Sequence, residues 1–570
     1  MPPRQWIATG ERLRVMLILG LTLVAYGNSL VNGFAFDDNL YILSNDQVTR
    51  PSLTGFFEVT KFNNVFRPVT FGSFAFDWAV GGKHPLIYHI LNNMLHIMVT
   101  LLLYIVLRKL LADIQRGPLI AWVTALIFAI HPIHTEVVSS ITGGRSELLA
   151  MGFVLGAWLF HLEDRPVAGL LCFMIAMLAK ESAIVFGPMV FLTDYSRNRL
   201  KAKARYAWIG GVTLVYLGAL RYAQGGHFGE ESVSFLDNPL AHLPADLRIL
   251  NALRIAWKYV GLLLYPATLS CDYSYNAIAI YSKWKFGILA LSATVVVVAV
   301  WVWALWTKRS AWAIAGTIYL VGFAVTANVF VPTGTIMGER LAYLPSAGFC
   351  LLVALLWEGL EGRSRKVAWV LLIVAVISMG ARTMIRNRDW HDELALFQAG
   401  VKAVPGSAKM HSNLGDHYYY LGDSERAVLE LKRALEILPD FPDALSYMGL
   451  IEAQKGNDQE AVRLMRTALS KTSRYNPTYD FIAVNLAAVE AKSGNDAEAL
   501  RLLGDEIALW PRSSRAYSNR GAIWYRKGEF EQARSDAETA LKLDPRNAQA
   551  AKLLAILKHS GQSAVPTSQQ

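Results

Sequence analysis

Two adjacent carboxylates, Asp37 and Asp38, follow the first long apolar stretch of the chain. Because like charges this close repel each other, the pKa of one of them is expected to rise toward the working range of a general base. One carboxylate of such a pair can take a proton from a hydroxyl group while the other orients it. A helix N-cap or a solvated turn uses the same residue types, so two acids alone leave both interpretations open.

Basic side chains suited to binding an anion such as phosphate occur at four places beside or between apolar stretches. A charged residue at membrane depth is costly and usually functional. Three of the four have an acidic residue close by in the sequence. For Lys180-Glu181 this leaves two interpretations, a pair that neutralises itself or a lysine that faces a charged ligand. The candidates are Arg67, Arg145 with Glu147, Lys180 with Glu181, and Arg340 with Glu339.

Three polar residues in a charge-free stretch, His89, Asn93 and His96, have the i, i+4, i+7 spacing of one helical face. A polar face on an apolar helix points into a bundle or a cavity. Hydrogen bonds between helices explain it as well as ligand contact does.

A histidine-rich motif, His131-Pro-Ile-His134-Thr-Glu136, contains residue types that bind metals. It lacks the HExxH spacing, and its proline argues against a single helical face that carries both histidines. We therefore assign no metal site, keep a divalent metal as the minor alternative, and treat these three residues as candidates for substrate contact.

Apolar helices must position these residues, because the 570-residue chain is 53% hydrophobic and only 18% charged, against about 25% charged in soluble domains. The net charge of +10 comes with short basic clusters beside apolar runs. This is the pattern of cytoplasmic loops, and no nucleic-acid recognition motif accompanies it. The three cysteines form no CxxC pair and predict no disulfide framework.

Crossing a bilayer takes about 20 apolar helical residues. Clear candidates are 15–32, 86–107, 118–135, 286–307, 312–331 and 341–357; shorter ones are 148–162, 167–179, 182–193, 206–220 and 367–381. The stretch 255–271 carries Lys258 and predicts a re-entrant or interfacial segment. Charge bias then gives about eleven crossings, with the polar motifs and everything after residue 381 on the outer side.

The remaining sequence repeats itself with a period of 34 residues, once extended to 38. Prolines 405, 439, 477, 511 and 545 mark the period, and so do glycines 422, 456, 494 and 528. Glycine allows the tight turn between paired helices, and small residues let them approach, which is typical of tetratricopeptide repeats. One position departs, since Glu506 stands where the other repeats have Ala434, Ala468 and Ala540.

The sequence thus predicts an all-α fold, a polytopic membrane bundle followed by a tetratricopeptide α-solenoid. We place the membrane domain at 1–385, a linker helix at 386–404, about four repeats at 405–560, and a disordered tail at 561–570. Arrays of this kind bind polypeptides in their concave groove, although a purely structural array remains an alternative.

Six motifs occur in the membrane half in a fixed order: "FDDNLYI" at 36–42, "FRPVT" at 66–70, "HILNNMLH" at 89–96, "FAIHPIHTEVVSSITGGRSELLA" at 128–150, "LAKES" at 178–182 and "GERLAYLPSAGF" at 338–349. In this order they resemble the transmembrane-and-tetratricopeptide O-mannosyltransferase family of GT-C membrane glycosyltransferases. One departure is "GGRSE", which stands where the family pattern is nearer to GRAD, so that the acid is lengthened to Glu147.

The resemblance implies a GT-C fold with an enlarged first outer loop, and a polyprenyl-phosphate sugar as donor, such as the mannose derivative. It implies a protein Ser or Thr hydroxyl as acceptor, held through the repeat groove, and no required cofactor. By position, Asp37 matches the catalytic acid of the family and Asp38 its neighbour. Charge then makes Arg340, Arg145, Lys180 and Arg67 the candidates for the donor phosphate.

Two other functions compete with this one. A GT-C enzyme of another kind would transfer an oligosaccharide or modify a glycolipid, and a membrane-anchored repeat scaffold would have no activity. A transporter is disfavoured because no inverted hydropathy repeat is evident. The short array and compact loops suggest a bacterial inner-membrane protein with periplasmic repeats; a eukaryotic chain would have them in the ER lumen.

Overall fold

The computed structural model describes residues 9–59, 65–225, 233–361, 363–474 and 476–562, and every regular element in these ranges is helical. The all-α prediction is therefore confirmed. The chain divides into two compact units, Met1–Gly406 and Ser407–Gln570. Most of the predicted tail, from residue 563 onward, lies outside the described residues.

The first unit contains sixteen described α-helices, with short 3₁₀ and π-helical turns between some of them. They are α1 Thr9–Tyr26, α2 Asp46–Thr49, α3 Pro68–Gly81, α4 Pro85–Leu110, α5 Gly117–Ile130, α6 Thr135–Val138, α7 Ile141–Leu162, α8 Pro166–Ala179, α9 Phe186–Ser196, α10 Lys203–Ala223, α11 Ala245–Leu264, α12 Ile288–Trp306, α13 Ser310–Phe323, α14 Tyr343–Glu361, α15 Arg365–Asn387 and α16 Glu393–Ala403. Proline begins α3, α4 and α8, because its fixed φ suits the first helical position and its missing N–H has no partner there.

Five helical stretches are long and apolar enough to cross a membrane: Gly10–Val31, Pro85–Leu110, Ile288–Trp306, Glu339–Glu361 and Arg365–Trp390. A sixth is Gly117–Ile130 with Pro132–Val138, if this pair bent by 51° counts as one span. Valines of α12 and α15 are exposed over consecutive turns. Apolar surface of this extent is unfavourable in water and favourable in contact with lipid. The chain is thus an integral membrane protein, and the count of eleven crossings stays a prediction.

The span predicted at 312–331 is wrong at its end, because α13 stops at Phe323. Asn328 has a φ of 58°, and its side-chain oxygen accepts hydrogen bonds from the Thr333 amide at 2.7 Å and from Asn238 Nδ2 at 2.8 Å. These bonds satisfy the backbone of a loop that hydrophobicity alone does not separate from a helix.

The segment predicted as a linker helix, 386–404, packs on the first unit. Asn387 donates to the Ala25 carbonyl at 2.8 Å and accepts from Ser139 Oγ at 2.7 Å. Trp390 is buried, and the Gly33 amide donates to the His391 carbonyl at 2.8 Å. This segment consequently belongs to the first unit and packs around the loop after α1 that contains Asp37.

The second unit contains paired helices that alternate with short turns. They are α17 Ala408–Tyr420, α18 Ser424–Ile437, α19 Pro442–Gln454, α20 Asp458–Lys471, α21 Pro477–Lys492, α22 Asp496–Leu509, α23 Ser514–Arg526, α24 Phe530–Leu543 and α25 Ala548–Gln562. Each of the four period glycines has a φ between 79° and 85°, a left-handed conformation that favours glycine. The repeat assignment is confirmed.

Glu506 is the exception inside this array. Its side chain is 1% exposed, and neither carboxylate oxygen has a hydrogen-bond partner within the described residues. Burial and the neighbouring Asp480 raise the pKa of Glu506 to about 8. A folded-state pKa above the ordinary 4.5 means that the folded state binds this proton more tightly. Stability therefore falls as the pH rises from about 4.5 to about 8.

We expect Glu506→Ala, which restores the residue of the other repeats, to stabilise the array by about 1–3 kcal/mol above pH 8. The variant should also lose the decline in stability between pH 5 and pH 8. Urea unfolding of the full chain in detergent, followed by circular dichroism, measures both effects. An unchanged pH dependence in the variant would refute this account.

Candidate functional site

Asp38 is buried between the Asp37 loop and the start of α7. Its Oδ2 accepts from the Ala35 amide at 2.9 Å, and its Oδ1 accepts from the Thr142 amide at 3.0 Å and Thr142 Oγ1 at 2.7 Å. Burial raises the pKa of Asp38 to about 7, and the neighbouring Asp37 contributes less to this increase. Asp38 therefore holds the loop, and burial rather than the predicted mutual repulsion dominates its pKa.

Asp37 is half-buried and follows Phe36, whose φ of 59° is unusual for a non-glycine residue. The charge of Asp37 acts on the guanidinium of Arg340. Arg340 donates to Glu136 through its backbone amide at 2.8 Å and through Nη1. The Arg340 side chain is 27% exposed, so it borders accessible space.

Two further ion pairs adjoin Arg340 and Asp37. Arg67 donates to Glu181 in a bidentate arrangement, with Nε to Oε2 at 3.0 Å and Nη2 to Oε1 at 2.6 Å. Lys180 pairs with Glu147, whose charge acts on both Arg67 and Arg340. We call these seven residues the charged cluster: Asp37, Arg67, Glu136, Glu147, Lys180, Glu181 and Arg340.

The electrostatics of the Arg67–Glu181 pair favour permanent ionisation. Burial alone would raise the pKa of Glu181, but the Arg67 guanidinium outweighs it and lowers this pKa to about 2. Burial opposes the charge of Arg67, and the carboxylate of Glu181 nevertheless raises its pKa. The Arg67 side chain is 24% exposed, so this pair also borders accessible space.

Neighbours in sequence are not the partners in space. Lys180 pairs with Glu147 rather than with adjacent Glu181, so the interpretation of Lys180-Glu181 as a self-neutralising pair is wrong. Glu339 accepts from Tyr273 Oη at 2.7 Å and the Ser270 amide at 2.6 Å. It therefore turns to other partners than adjacent Arg340, because successive residues of a 3₁₀ helix point in different directions.

Arg145 lies outside the charged cluster, fully buried among α3, α4 and α7. It donates to Asp77 at 2.8 Å, to Asn92 at 2.6 Å, to the Tyr88 carbonyl at 3.1 Å and to Ser73 at 3.2 Å. These acceptors occupy the guanidinium, so the structure assigns Arg145 to helix packing rather than to the donor phosphate. Asp77, its ion-pair partner, was not identified from the sequence.

Three buried histidines, His96, His131 and His134, form hydrogen bonds to other helices or to their own turn. His96 lies between Tyr343 Oη at 2.7 Å and the Ala129 carbonyl at 3.0 Å. His134 lies between the Phe128 carbonyl at 3.0 Å and Ser346 Oγ at 2.8 Å. Nδ1 of His131 accepts from the Ile133 amide at 3.2 Å, and its Nε2 contacts the Leu263 carbonyl at 3.0 Å.

His89 and Asn93 occupy the adjoining turn of α4. Asn93 donates to Ser29 Oγ at 3.0 Å, and His89 is buried beside the backbone of Asn32 and Gly33. For the polar face of α4, these contacts agree with the interpretation as packing between helices rather than as ligand contact. Over the described ranges no three His, Cys, Asp or Glu side chains converge as a metal ion would require.

Arg386 is a charged residue near the cluster that sequence reasoning missed. It is buried at the end of α15 and donates to Asp389 at 2.8 Å. Its charge acts on both Glu339 and Glu136. Arg382 and Arg386 follow an apolar run at i, i+4 spacing, which places them on one helical face and could have identified them. Basic residues at the end of an apolar run are also common where a membrane span ends, so the signal was not specific.

Family models match three parts of the chain. The model described as "Protein O-mannosyl-transferase TMTC, DUF1736" matches residues 229–299, which include α11 and the start of α12. Tetratricopeptide-repeat models match residues 380–440, 412–477 and 514–547.

Curated relatives extend the similarity over most of the chain. A protein O-mannosyl-transferase of Caenorhabditis elegans is 31% identical over 72% of this chain and 60% of its own length. Human protein O-mannosyl-transferase TMTC3 is 27% identical over 94% of this chain and 64% of its own length. The chain thus spans somewhat over half the length of these relatives. The matches confirm the resemblance that the six motifs predict.

Proposed function

We propose that this chain is a GT-C membrane glycosyltransferase that moves a sugar, mannose in the first instance, from a polyprenyl-phosphate donor to Ser or Thr hydroxyls of proteins. The observation that carries the proposal is the position of Asp37, half-buried and within electrostatic range of Arg340. A carboxylate within electrostatic range of a partly exposed arginine suits a reaction that removes a proton and releases an anion. The names of the relatives support mannose and a protein acceptor.

In the proposed reaction, the acceptor hydroxyl oxygen attacks the anomeric carbon while the bond from that carbon to the phosphate oxygen breaks. The bonding electrons leave with the polyprenyl phosphate, and Asp37 takes the hydroxyl proton. A single displacement inverts the anomeric centre. The lipid phosphate departs as an anion, so the mechanism needs no acid on the leaving-group side.

Arg340, Arg67 and Lys180 would stabilise the charge on the departing phosphate. The side chains of Arg340 and Arg67 are partly exposed, and a guanidinium binds phosphate through two parallel N–H groups. Lys180 is nearly buried against Glu147 and would contribute through its field. No resident cofactor is part of the proposal, since the donor already carries the activated sugar.

The repeat array would recruit the acceptor polypeptide and raise its effective concentration at the membrane unit. The charged cluster and the array would then share the outer side of the membrane, the periplasm in a bacterium. This arrangement follows the charge bias of the loops.

A transfer assay in membranes with radiolabelled polyprenyl-phosphate mannose tests the proposal. We expect label in protein, released by β-elimination as expected for a sugar linked to Ser or Thr. Label in lipid instead of protein would favour the glycolipid alternative. Absence of transfer in the presence of a mixture of unfolded Ser- and Thr-rich acceptor polypeptides would refute the activity.

A further inference from the structure

An apolar groove of about 660 Å³ runs along the first unit between α9, α10 and α13. Its walls include Ile184, Phe191, Ile209, Leu214, Val321 and Val325. Phe191 and Leu214 are exposed, so the groove is open on the side that faces lipid in a membrane protein.

The polar groups in the groove wall are already bonded within the protein. Thr213 Oγ1 donates to the Ile209 carbonyl of its own helix at 3.0 Å. Tyr206 Oη donates to Asp194 at 2.7 Å. An occupant would consequently find hydrocarbon surface and no hydroxyl in need of a partner, which favours an alkyl or isoprenoid chain over a sugar or a peptide.

One end of the groove adjoins the charged cluster. Ile184 comes three residues after Glu181 in the same short helical segment. Tyr216 of α10 follows the lining residues Thr213 and Leu214 and does not itself line the groove. Its hydroxyl is buried without a hydrogen-bond partner within the described residues, and the charges of Glu181 and Arg67 act on it. The groove therefore leads from exposed apolar surface to the ion pair of Arg67.

Glycines keep the groove open. A Cβ at Gly187 would lie 3.3 Å from Ile209 Cγ2, and a Cβ at Gly210 would meet nothing within 4 Å. Both glycines line the groove, so Gly210 is a position where a large side chain can fill the space without a clash with the backbone.

We propose that this groove binds the isoprenoid chain of the lipid-linked donor, with the donor phosphate at the Arg67 end of the charged cluster. This inference rests on the proposed function and adds where the lipid lies. A ligand with an anionic head and an apolar chain complements the cations at one end and the hydrocarbon walls beyond them.

The position of Gly210 allows binding of the isoprenoid chain to be tested separately from binding of the donor phosphate. Gly210 precedes Tyr216 by six residues on α10, or about 9 Å along the helix axis. A donor with one or two isoprene units should remain near the Tyr216 end, whereas a donor with eleven units must pass Gly210.

We expect Gly210→Phe to lower kcat/KM for the eleven-unit donor at least tenfold and to leave the two-unit donor within twofold of the unaltered protein. Gly211→Phe is the matched control, since Gly211 has the same open surroundings and does not line the groove. It should leave both donors unaffected. An equal loss for both donors in Gly210→Phe, or no loss for either, would overturn the proposal.

A second measurement does not depend on turnover. Undecaprenyl phosphate with a diazirine on its chain should label peptides of α9 and α10, and Gly210→Phe should reduce this labelling at least fivefold. If the unaltered protein transfers no mannose yet shows this pattern, the proposed activity fails while the groove assignment stands. Equal competition by phosphatidylglycerol would identify an ordinary lipid contact and overturn the assignment.

Discussion

Replacement of Asp37 by asparagine should lower kcat for sugar transfer by about 10²–10⁴-fold, the range typical of general-base catalysis. Asparagine has nearly the same shape but cannot accept the hydroxyl proton. Because Asp37 is half-buried and Asp38 holds the loop, we expect the thermal midpoint in detergent to stay within about 2 °C of the unaltered protein. Turnover with labelled donor and a melting curve on the same preparation measure the two effects.

Asp38→Asn is the matched control for this experiment. Both oxygens of Asp38 accept hydrogen bonds from Ala35 or Thr142, and an amide would place donors against one of these N–H groups. We expect a loss of about 1–3 kcal/mol in stability. Full turnover in Asp37→Asn, or equal destabilisation by both substitutions, would remove the base assignment.

Replacement of Arg340 by methionine should lower kcat/KM by about 10²–10³-fold, as expected for one group that stabilises a departing anion. The substitution also leaves Glu136 buried without its cation, which costs about 3–5 kcal/mol when one partner of a buried pair is removed. A loss of activity in the single variant is therefore ambiguous between chemistry and folding.

The double variant Arg340→Met with Glu136→Gln separates the two causes. Removal of both charges should restore most of the stability, since no buried ion stays unpaired, while activity should remain low. Arg340→Lys keeps the charge and should regain only part of kcat/KM, because lysine lacks the two-pronged guanidinium. Recovery of activity with stability in the double variant would contradict a phosphate-binding role.

Local signals in the sequence account for most of the correct predictions. The repeat array follows from glycines 422, 456, 494 and 528, whose left-handed φ values the spacing anticipates. The helices of the membrane half follow from apolar runs, and errors arise where a loop is also apolar. The end of α13 depends on hydrogen bonds between Asn328 and other residues, including one that Asn328 accepts from Asn238, 90 positions away. No short window of sequence contains both partners.

The sequence identified every member of the charged cluster but not which members pair, and it missed Asp77 and Arg386. Arg340 bonds Glu136 across 204 residues and Arg145 bonds Asp77 across 68. Sequence proximity instead suggested the adjacent pairs Glu339–Arg340 and Lys180–Glu181. The direction of a side chain from its helix and the packing of distant helices decide these pairs, and the sequence of one chain encodes neither explicitly.

The carboxylates that face Arg340, Arg67 and Lys180 have a consequence for the exchange of ligands. Each cation already has an anion in place, so in the proposed reaction an arriving lipid phosphate would compete with a resident carboxylate instead of neutralising a bare charge. When the phosphate left, the same carboxylate would take its place, and no cation would be left unpaired in a poorly solvated site. Such a site would bind phosphate less tightly but exchange it more easily. It would release the lipid phosphate product as readily as it binds the sugar-linked donor.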